Sequence, residues 1–238
     1  MKHESVIIAA ILLLAACGVP ARPDLSLERV QQAGVLRVAL DASFPPLESV
    51  APDGRIQGID PHVASAVAGQ LGVRAQFLNI SSDGLKAAVL AGQADAIVSS
   101  FTPVREWSHE LGYSRSYYDA GPVLSAASGD ARQGLIGVEA GGDGEAPARR
   151  RWPDRIRLYA TSQDAVEALN HGAITGVVLD VPDISLFAAD APGLHAIGRP
   201  LESVPYVVAV RKADRLLLQA IDAALADMKA SGELEIGR

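Results

Sequence analysis

Two aspartates follow apolar, strand-like runs: Asp41 comes after VLRVAL, and Asp180 ends GVVLD. An acid that ends a buried run needs a partner, because an unpaired buried charge is very costly. Such an acid either caps a local turn or offers itself to something outside the chain. Ser99, Ser100 and Thr102 follow a third apolar run, AIVS. Their hydroxyls can donate and accept, whether to a solute or to a local ST turn. Phe44, Arg105 and Trp107 add two aromatic faces and a cation near these groups. Glu106, His109 and Glu139 are the groups an acid–base reaction would recruit, but no nucleophile–base arrangement and no phosphate-cradling glycine loop is visible. His3, His62, His109, His171 and His195 are scattered without metal-ligand spacing, so neither a metal nor a cofactor is expected.

The elements that must position these groups alternate between strand and helix. Val35–Leu40, Arg74–Ile80 and Ala96–Ser99 read as strands. Asp60-Pro61 is a helix-start signal, with Val63, Val67 and Leu71 at four-residue spacing and Gly72 as the stop. Leu85–Leu90 reads as a further helix. The second half repeats the rhythm with strands at Leu135–Glu139, Ile156–Ala160 and Gly176–Leu179. Between the last two, a helix runs from Thr161 to Asn170, with Thr161 and Asp164 at capping-box spacing. Tyr206–Val210 is another strand. Asp214 then opens a final helix with an apolar face of Leu217, Ile221, Leu225 and Met228, ended by Gly232. This alternation predicts α/β layers with mixed, mostly parallel sheets flanked by helices.

The chain has 238 residues, 49% of them hydrophobic and 21% charged, which excludes a disordered or collagen-like chain. A net charge of −7 without a basic stripe argues against nucleic acid as a partner. Arg149-Arg150-Arg151 is the one basic run, read as a solvated helix start or a contact for an anion or partner. A single cysteine excludes an intramolecular disulfide framework. That residue, Cys17, follows an export-signal pattern: Lys2, then the uncharged run from Val6 to Leu14, then Ala15 and Ala16. The run is too short to cross a hydrocarbon core of roughly 30 Å. Leu14-Ala15-Ala16-Cys17 resembles the lipobox of bacterial lipoproteins, which implies a signal peptide over 1–16 and lipidation of Cys17. The alternative is an ordinary leader with a chance cysteine. Residues 17–27, with Pro20 and Pro23, would form a tether.

Asp41-Ala-Ser-Phe44-Pro-Pro46, Asp53-Gly54 and Gly58-Ile-Asp60 resemble the opening of the family 3 extracellular solute-binding proteins, the receptors of polar amino acid ABC importers. The resemblance continues through Leu85, Gly92-Gln-Ala-Asp95, Tyr113-Ser114-Arg-Ser-Tyr117-Tyr118, Gly137-Val138, the Ser162-to-Asp180 segment and Ala230-Ser-Gly232-Glu-Leu234. It implies a two-lobed, type II periplasmic binding protein fold with two hinge crossovers, closing on a small solute. Lobe 1 would hold 28–120 plus 204–238, and lobe 2 would hold 121–203. The resemblance further implies a monomeric receptor on the outer side of a membrane, held there through its lipid anchor alone. It would deliver its solute to the membrane subunits of an ABC permease and would not be an enzyme. Two alternatives stay open: a periplasmic cyclohexadienyl dehydratase-like enzyme, and a sensory or partner-binding lipoprotein with a decayed pocket.

What the resemblance implies for single residues is specific. Asp41 would make a polar contact near the solute side chain, and Phe44 would stack on it, or else plug the turn under Pro45-Pro46. Ser82 falls where the facing stacker is usually large and apolar. Ser99, Ser100 and Thr102 match the polar loop, and Asp180 matches the carboxylate that pairs with an α-ammonium. The family's carboxylate-binding arginine falls on Trp107, with Arg105 two residues earlier, and the second-lobe Gly-Thr-Thr reads Gly141-Gly142-Asp143. The cleft therefore carries Asp41, Glu139, Asp143 and Asp180 with no assured cation. The expectation is a cationic solute, an amine or polyamine, or a basic amino acid held through Arg105, with cation–π support from Phe44 and Trp107 of about 0.5–2 kcal/mol each. A diverged amino acid receptor with a local misalignment is the alternative.

Overall fold

Strand β1 (Val35–Leu40) forms where the apolar run lies, and Leu36, Val38 and Leu40 are fully buried. The computed structural model describes residues 23–127, 131 and 133–234. Cys17 and the rest of the leader pattern lie outside the described residues. Helix α1 (Ser26–Ala33) precedes β1 and starts inside the stretch read as a tether. After β1 come β2 (Ser43–Phe44), β3 (Glu48–Val50) and β4 (Ile56–Gln57), a small antiparallel sheet of their own. Then follow α2 (Ile59–Gln70), β5 (Arg74–Asn79), α3 (Ser82–Leu90), β6 (Ala96–Ile97), a 3-10 turn (Arg105–Trp107) and β7 (Leu111–Asp119).

The chain next builds a second sheet from β8 (Pro122–Ala126), β9 (Ile136–Glu139), α4 (Glu145–Arg151), β10 (Ile156–Tyr159), α5 (Ser162–Asn170), β11 (Gly176–Asp180), α6 (Asp183–Leu186) and β12 (His195–Ala196). It returns to the first sheet as β13 (Pro205–Arg211) and ends the described part in α7 (Arg215–Ser231). The first sheet has the order β5-β1-β6-β13-β7 and the second β10-β9-β11-β8-β12. Both sheets are mixed. In each, four strands run in one direction, while the strand that enters after a crossover, β13 or β8, pairs antiparallel with both neighbours.

Apolar cores cover both faces of each sheet. Leu217, Ile221, Leu225 and Met228 of α7 are fully buried, each worth roughly 1.5–3 kcal/mol of transfer free energy. Thr161 caps α5 as its spacing predicts, accepting from the Asp164 N–H at 3.1 Å. Two helix starts differ from expectation. Gly58, not Asp60, precedes α2. Its φ is +131°, and a Cβ there would come within 2.2 Å of the Leu47 carbonyl oxygen, so the chain turns there only with glycine. Asp60 is thereby carried one residue into the helix and its carboxylate is buried elsewhere. At α7 the first N–H groups go to Asp24 (2.7 Å) and the Ser26 hydroxyl (3.1 Å), whereas Asp214 is taken by Arg29 and Arg211.

The two crossovers meet at one place. Ala120 donates to the Val204 carbonyl at 2.9 Å, and the Asp119 carboxylate accepts from Val204 N–H, Gly121 N–H and the Ser203 hydroxyl. A Cβ on Gly121 would lie 1.9 Å from the Glu202 carbonyl oxygen, so the two strands approach this closely only because position 121 has no side chain.

Candidate functional site

The ends of β1 and β6 and the small sheet open onto a cavity of about 460 Å³ lined by Asp41, Phe44, Glu48, Ser82, Ser99, Ser100, Phe101, Thr102, Trp107 and Tyr206, among others. A second cavity, about 260 Å³, is lined from β8, β9, β11 and the starts of α4, α5 and α6 by Glu139, Gly142, Asp143, Ser162, Asp180 and Asp183, among others. Of the nine solute-binding candidates read from the sequence, eight line one cavity or the other. Arg105 lines neither; it is exposed on the 3-10 turn that carries Trp107. Among the described residues, no Lys, Arg or His lines either cavity.

Local hydrogen bonds explain how each group is held. Asp41 accepts from the Ser43 hydroxyl at 2.7 Å and from the Ser82 N–H at 2.8 Å, so it tethers the β1 end to the start of α3. Its own N–H donates to the Ser99 Oγ, and Ser99 in turn donates to Glu48. Ser100 adopts a φ of +46°, rare for a residue with a side chain, and its N–H and hydroxyl both go to Asp60. Phe44 is half exposed. Trp107 packs on Phe101 and carries the Lys86 ammonium 4.8 Å from its ring centroid, with Lys86 also paired to Glu110. One face of the indole thus already has its cation.

In the second cavity, Glu139 accepts from the N–H and hydroxyl of Ser162 at the start of α5, which fixes its carboxylate. Asp143 is exposed, and Asp180 and Asp183 are partly buried. Burial, followed by the like charges of Asp183, Asp143 and Glu139, pushes Asp180 up to about 6. Burial and Glu139 raise Asp183 as well. Four acids around one small space, two of them already resisting ionisation, make a region that gains from an incoming positive charge. Tyr206 ties the cavities together: it lines the first, yet its hydroxyl is pushed up to about 12 by burial and by Asp60, with Asp180 adding to the effect.

The sequence reading did not single out Glu48, Asp183 or Tyr206. Glu48 follows Pro45-Pro46-Leu47 on an otherwise unremarkable loop, and its burial appears only once the small sheet folds over it. Tyr206 reads as one more apolar residue of YVVAV. Asp183 had a signal in its spacing, three residues past Asp180 and across Pro182, which starts a new helix at the strand end.

Comparison with known proteins agrees with this architecture. The chain is 26% identical to the L-arginine-binding protein of Pseudomonas aeruginosa, covering 92% of each. It superposes on an ancestral cationic amino acid solute-binding protein with a TM-score of 0.64 at 25% identity, covering 88% of this chain and 96% of that one. An ancestral cyclohexadienyl dehydratase has the same fold, with a TM-score of 0.77 at 24% identity over 88% of this chain and 92% of the other. The two-lobed arrangement is the type II periplasmic binding protein fold. Residues 36–236 match the description of one family throughout, and the chain belongs to it: the bacterial extracellular solute-binding proteins, family 3.

Proposed function

We propose that this protein is the extracytoplasmic receptor of an ABC importer and that it binds a cationic amino acid or a related amine between its two lobes. The observation that carries the reading is the lining of the two cavities: Asp41, Glu139, Asp143, Asp180 and Asp183 are all present, with no cationic side chain among the described lining residues. An anionic solute would meet repulsion on both sides, whereas an ammonium or guanidinium finds acceptors. Asp180 pairs with the positive charge. Ser99, Ser100 and Thr102 hold the solute's polar groups, Phe44 supplies the open aromatic face, and Asp143 borders the far wall. Trp107 closes the first cavity but spends one face on Lys86. Arg105 reaches the solute only if its turn moves. The names of the similar proteins, an L-arginine-binding protein and a cationic amino acid-binding protein, support the same solute class.

In this reading lobe 1 spans 28–120 plus 204–238 and lobe 2 spans 121–203. The lobes close about Ala120-Gly121 and the return segment ahead of β13. No described helix is long and apolar enough to cross a membrane. Attachment through a lipidated Cys17 is the placement the lipobox-like sequence supports, with the permease's membrane subunits as the partner. A thermal-shift panel tests the solute class. L-arginine, L-lysine and putrescine are expected to raise Tm, and L-glutamate and L-leucine are not; the reverse pattern refutes the cationic reading. No turnover of prephenate or arogenate is expected, and turnover would establish an enzyme instead.

A further inference from the structure

Beneath the first cavity lies a group of polar side chains that the solute reading does not use. Glu48 and Asp60 are 2% and 0% exposed, and Glu48 still lines the cavity floor. Asp60 sits where hydrogens converge: it accepts from the Tyr117 hydroxyl at 2.9 Å on one oxygen, and from the Ser100 N–H and hydroxyl on the other. Glu48 has the opposite surroundings. Its Oε1 accepts from the Ser99 hydroxyl at 2.9 Å, while its buried Oε2 receives no N–H or O–H donor from the described residues. Asp60 acts on Glu48 as a close like-charged neighbour, and among the described residues neither of these two buried carboxyl groups has an ion-pair partner.

Two ionised carboxylates at this distance in a dry site repel strongly, and a single proton between them turns the repulsion into a hydrogen bond. The donor count decides where that proton sits. Asp60 already has three hydrogens pointing at it. Glu48 Oε2, which no described donor reaches, is the oxygen left free to carry it. The groups acting on Glu48 from neighbouring elements are Asp60 of α2, Ser99 beyond β6 and Asp41 beyond β1; Glu48 in turn acts on Tyr117 of β7 and Tyr206 of β13. None of these groups is a cation; the Ser99 hydroxyl alone favours a charge on Glu48, and burial and Asp60 outweigh it.

The pair reaches the cleft by two routes. One runs from Asp60 through the Glu48 proton to Ser99 and on to the Asp41 N–H. The other runs from Asp60 to Ser100, whose left-handed backbone conformation persists only because its N–H and hydroxyl are both held there. We infer that Glu48 and Asp60 share one proton and that this pair is the positioning element of the lobe 1 half-cleft, setting the places of Ser99, Ser100 and the end of β1. They are positioning residues, because they act on the solute through the serines. Only the effect on solute affinity rests on the proposed function; the proton and the loop geometry do not.

The test therefore has readouts that need no solute. Infrared spectra of wild-type protein and Glu48→Gln at pH 7 are expected to differ by the carbonyl band of one protonated buried carboxylic acid, lost in the variant. A difference spectrum without that band overturns the shared proton. Glu48→Gln keeps one acceptor for Ser99 and one donor for Asp60, so amide exchange over 99–102 is expected to stay near wild type. In Asp60→Asn, exchange over the same segment is expected to accelerate at least tenfold, and unchanged exchange overturns the positioning role. With L-arginine as probe, Asp60→Asn is expected to bind at least tenfold more weakly than wild type. If wild type binds no cationic solute, the proposed function fails, while the infrared and exchange results still decide the inference.

Discussion

Lowering the pH is expected to weaken cation binding through Asp180, by an amount the structure allows to be worked out. In the free protein, burial first and then Asp183, Asp143 and Glu139 push Asp180 up to about 6. A bound cation favours the ionised carboxylate, so the complex holds that group at a lower pKa. At pH 7 roughly 90% of the free protein has Asp180 ionised, and at pH 5 roughly 10%. Apparent affinity scales with the competent fraction, so L-arginine binding should weaken about tenfold between these pH values. Calorimetry in buffers of different ionisation enthalpy measures both parts. Binding near pH 5 should release close to one proton per solute, and binding near pH 8 almost none. Asp180→Asn should flatten the profile and cost about 1–3 kcal/mol of affinity at pH 7, at the low end of charge-pair truncations because the group is only partly buried. An affinity that is flat from pH 5 to pH 7, together with wild-type binding by Asp180→Asn, would refute the reasoning.

Three further outcomes follow from particular contacts and a fourth from the lipobox-like sequence. The folded state keeps the Glu48 proton far above the range where the unfolded chain releases it, so stability contributed here falls as pH rises from about 5. Glu48→Gln should therefore gain Tm over wild type progressively toward pH 9, at a limiting rate of about 1.4 kcal/mol per pH unit; a constant Tm difference would contradict a titrating group. Gly121→Ala should shift the inter-lobe angle or lower Tm by several degrees, since its Cβ would meet the Glu202 carbonyl oxygen at 1.9 Å; an unchanged scattering curve and Tm would show that the hinge is slack. Asp95 receives a two-pronged pair from Arg37, at 2.9 and 2.8 Å, joining β1 to the start of β6; since the Arg37 left behind is partly exposed, Asp95→Ala should cost about 1.5–3 kcal/mol in chemical denaturation. Cys17→Ser should move the protein from the membrane fraction to the soluble fraction on cell fractionation, and persistence in the membrane would remove the lipid anchor.

Elements built on local periodicity were legible before folding. The apolar face of α7, the Thr161 cap of α5 and the run of β1 each follow from spacing within one turn or one strand. Strand β7 was not legible because Ser114, Arg115 and Ser116 interrupt its apolar pattern, and its partner β13 lies some ninety residues later. The antiparallel insertion of β13 and β8 is likewise a long-range pairing that no local window contains. Of the candidate site, the strand-end acids and the serine loop showed themselves by position, and the structure gathers them into two cavities. The role of Asp60 was read as a helix cap, because its sequence neighbourhood is that of a cap. Its burial against Glu48, Ser100 and Tyr117 depends on three other elements arriving around it. Arg105 and Trp107 illustrate a different limit: residues two apart on a loop exchange places with a small change of turn, and spacing alone does not choose between them.

The central claim is that a positively charged solute draws the two lobes together across Asp180. Small-angle scattering with and without saturating L-arginine at pH 7 measures this directly. A smaller radius of gyration is expected for wild type with L-arginine, with contraction in Asp180→Asn only at roughly 5–150-fold higher L-arginine, and none with L-glutamate. Contraction with L-glutamate, and none with L-arginine, L-lysine or putrescine, would contradict the account.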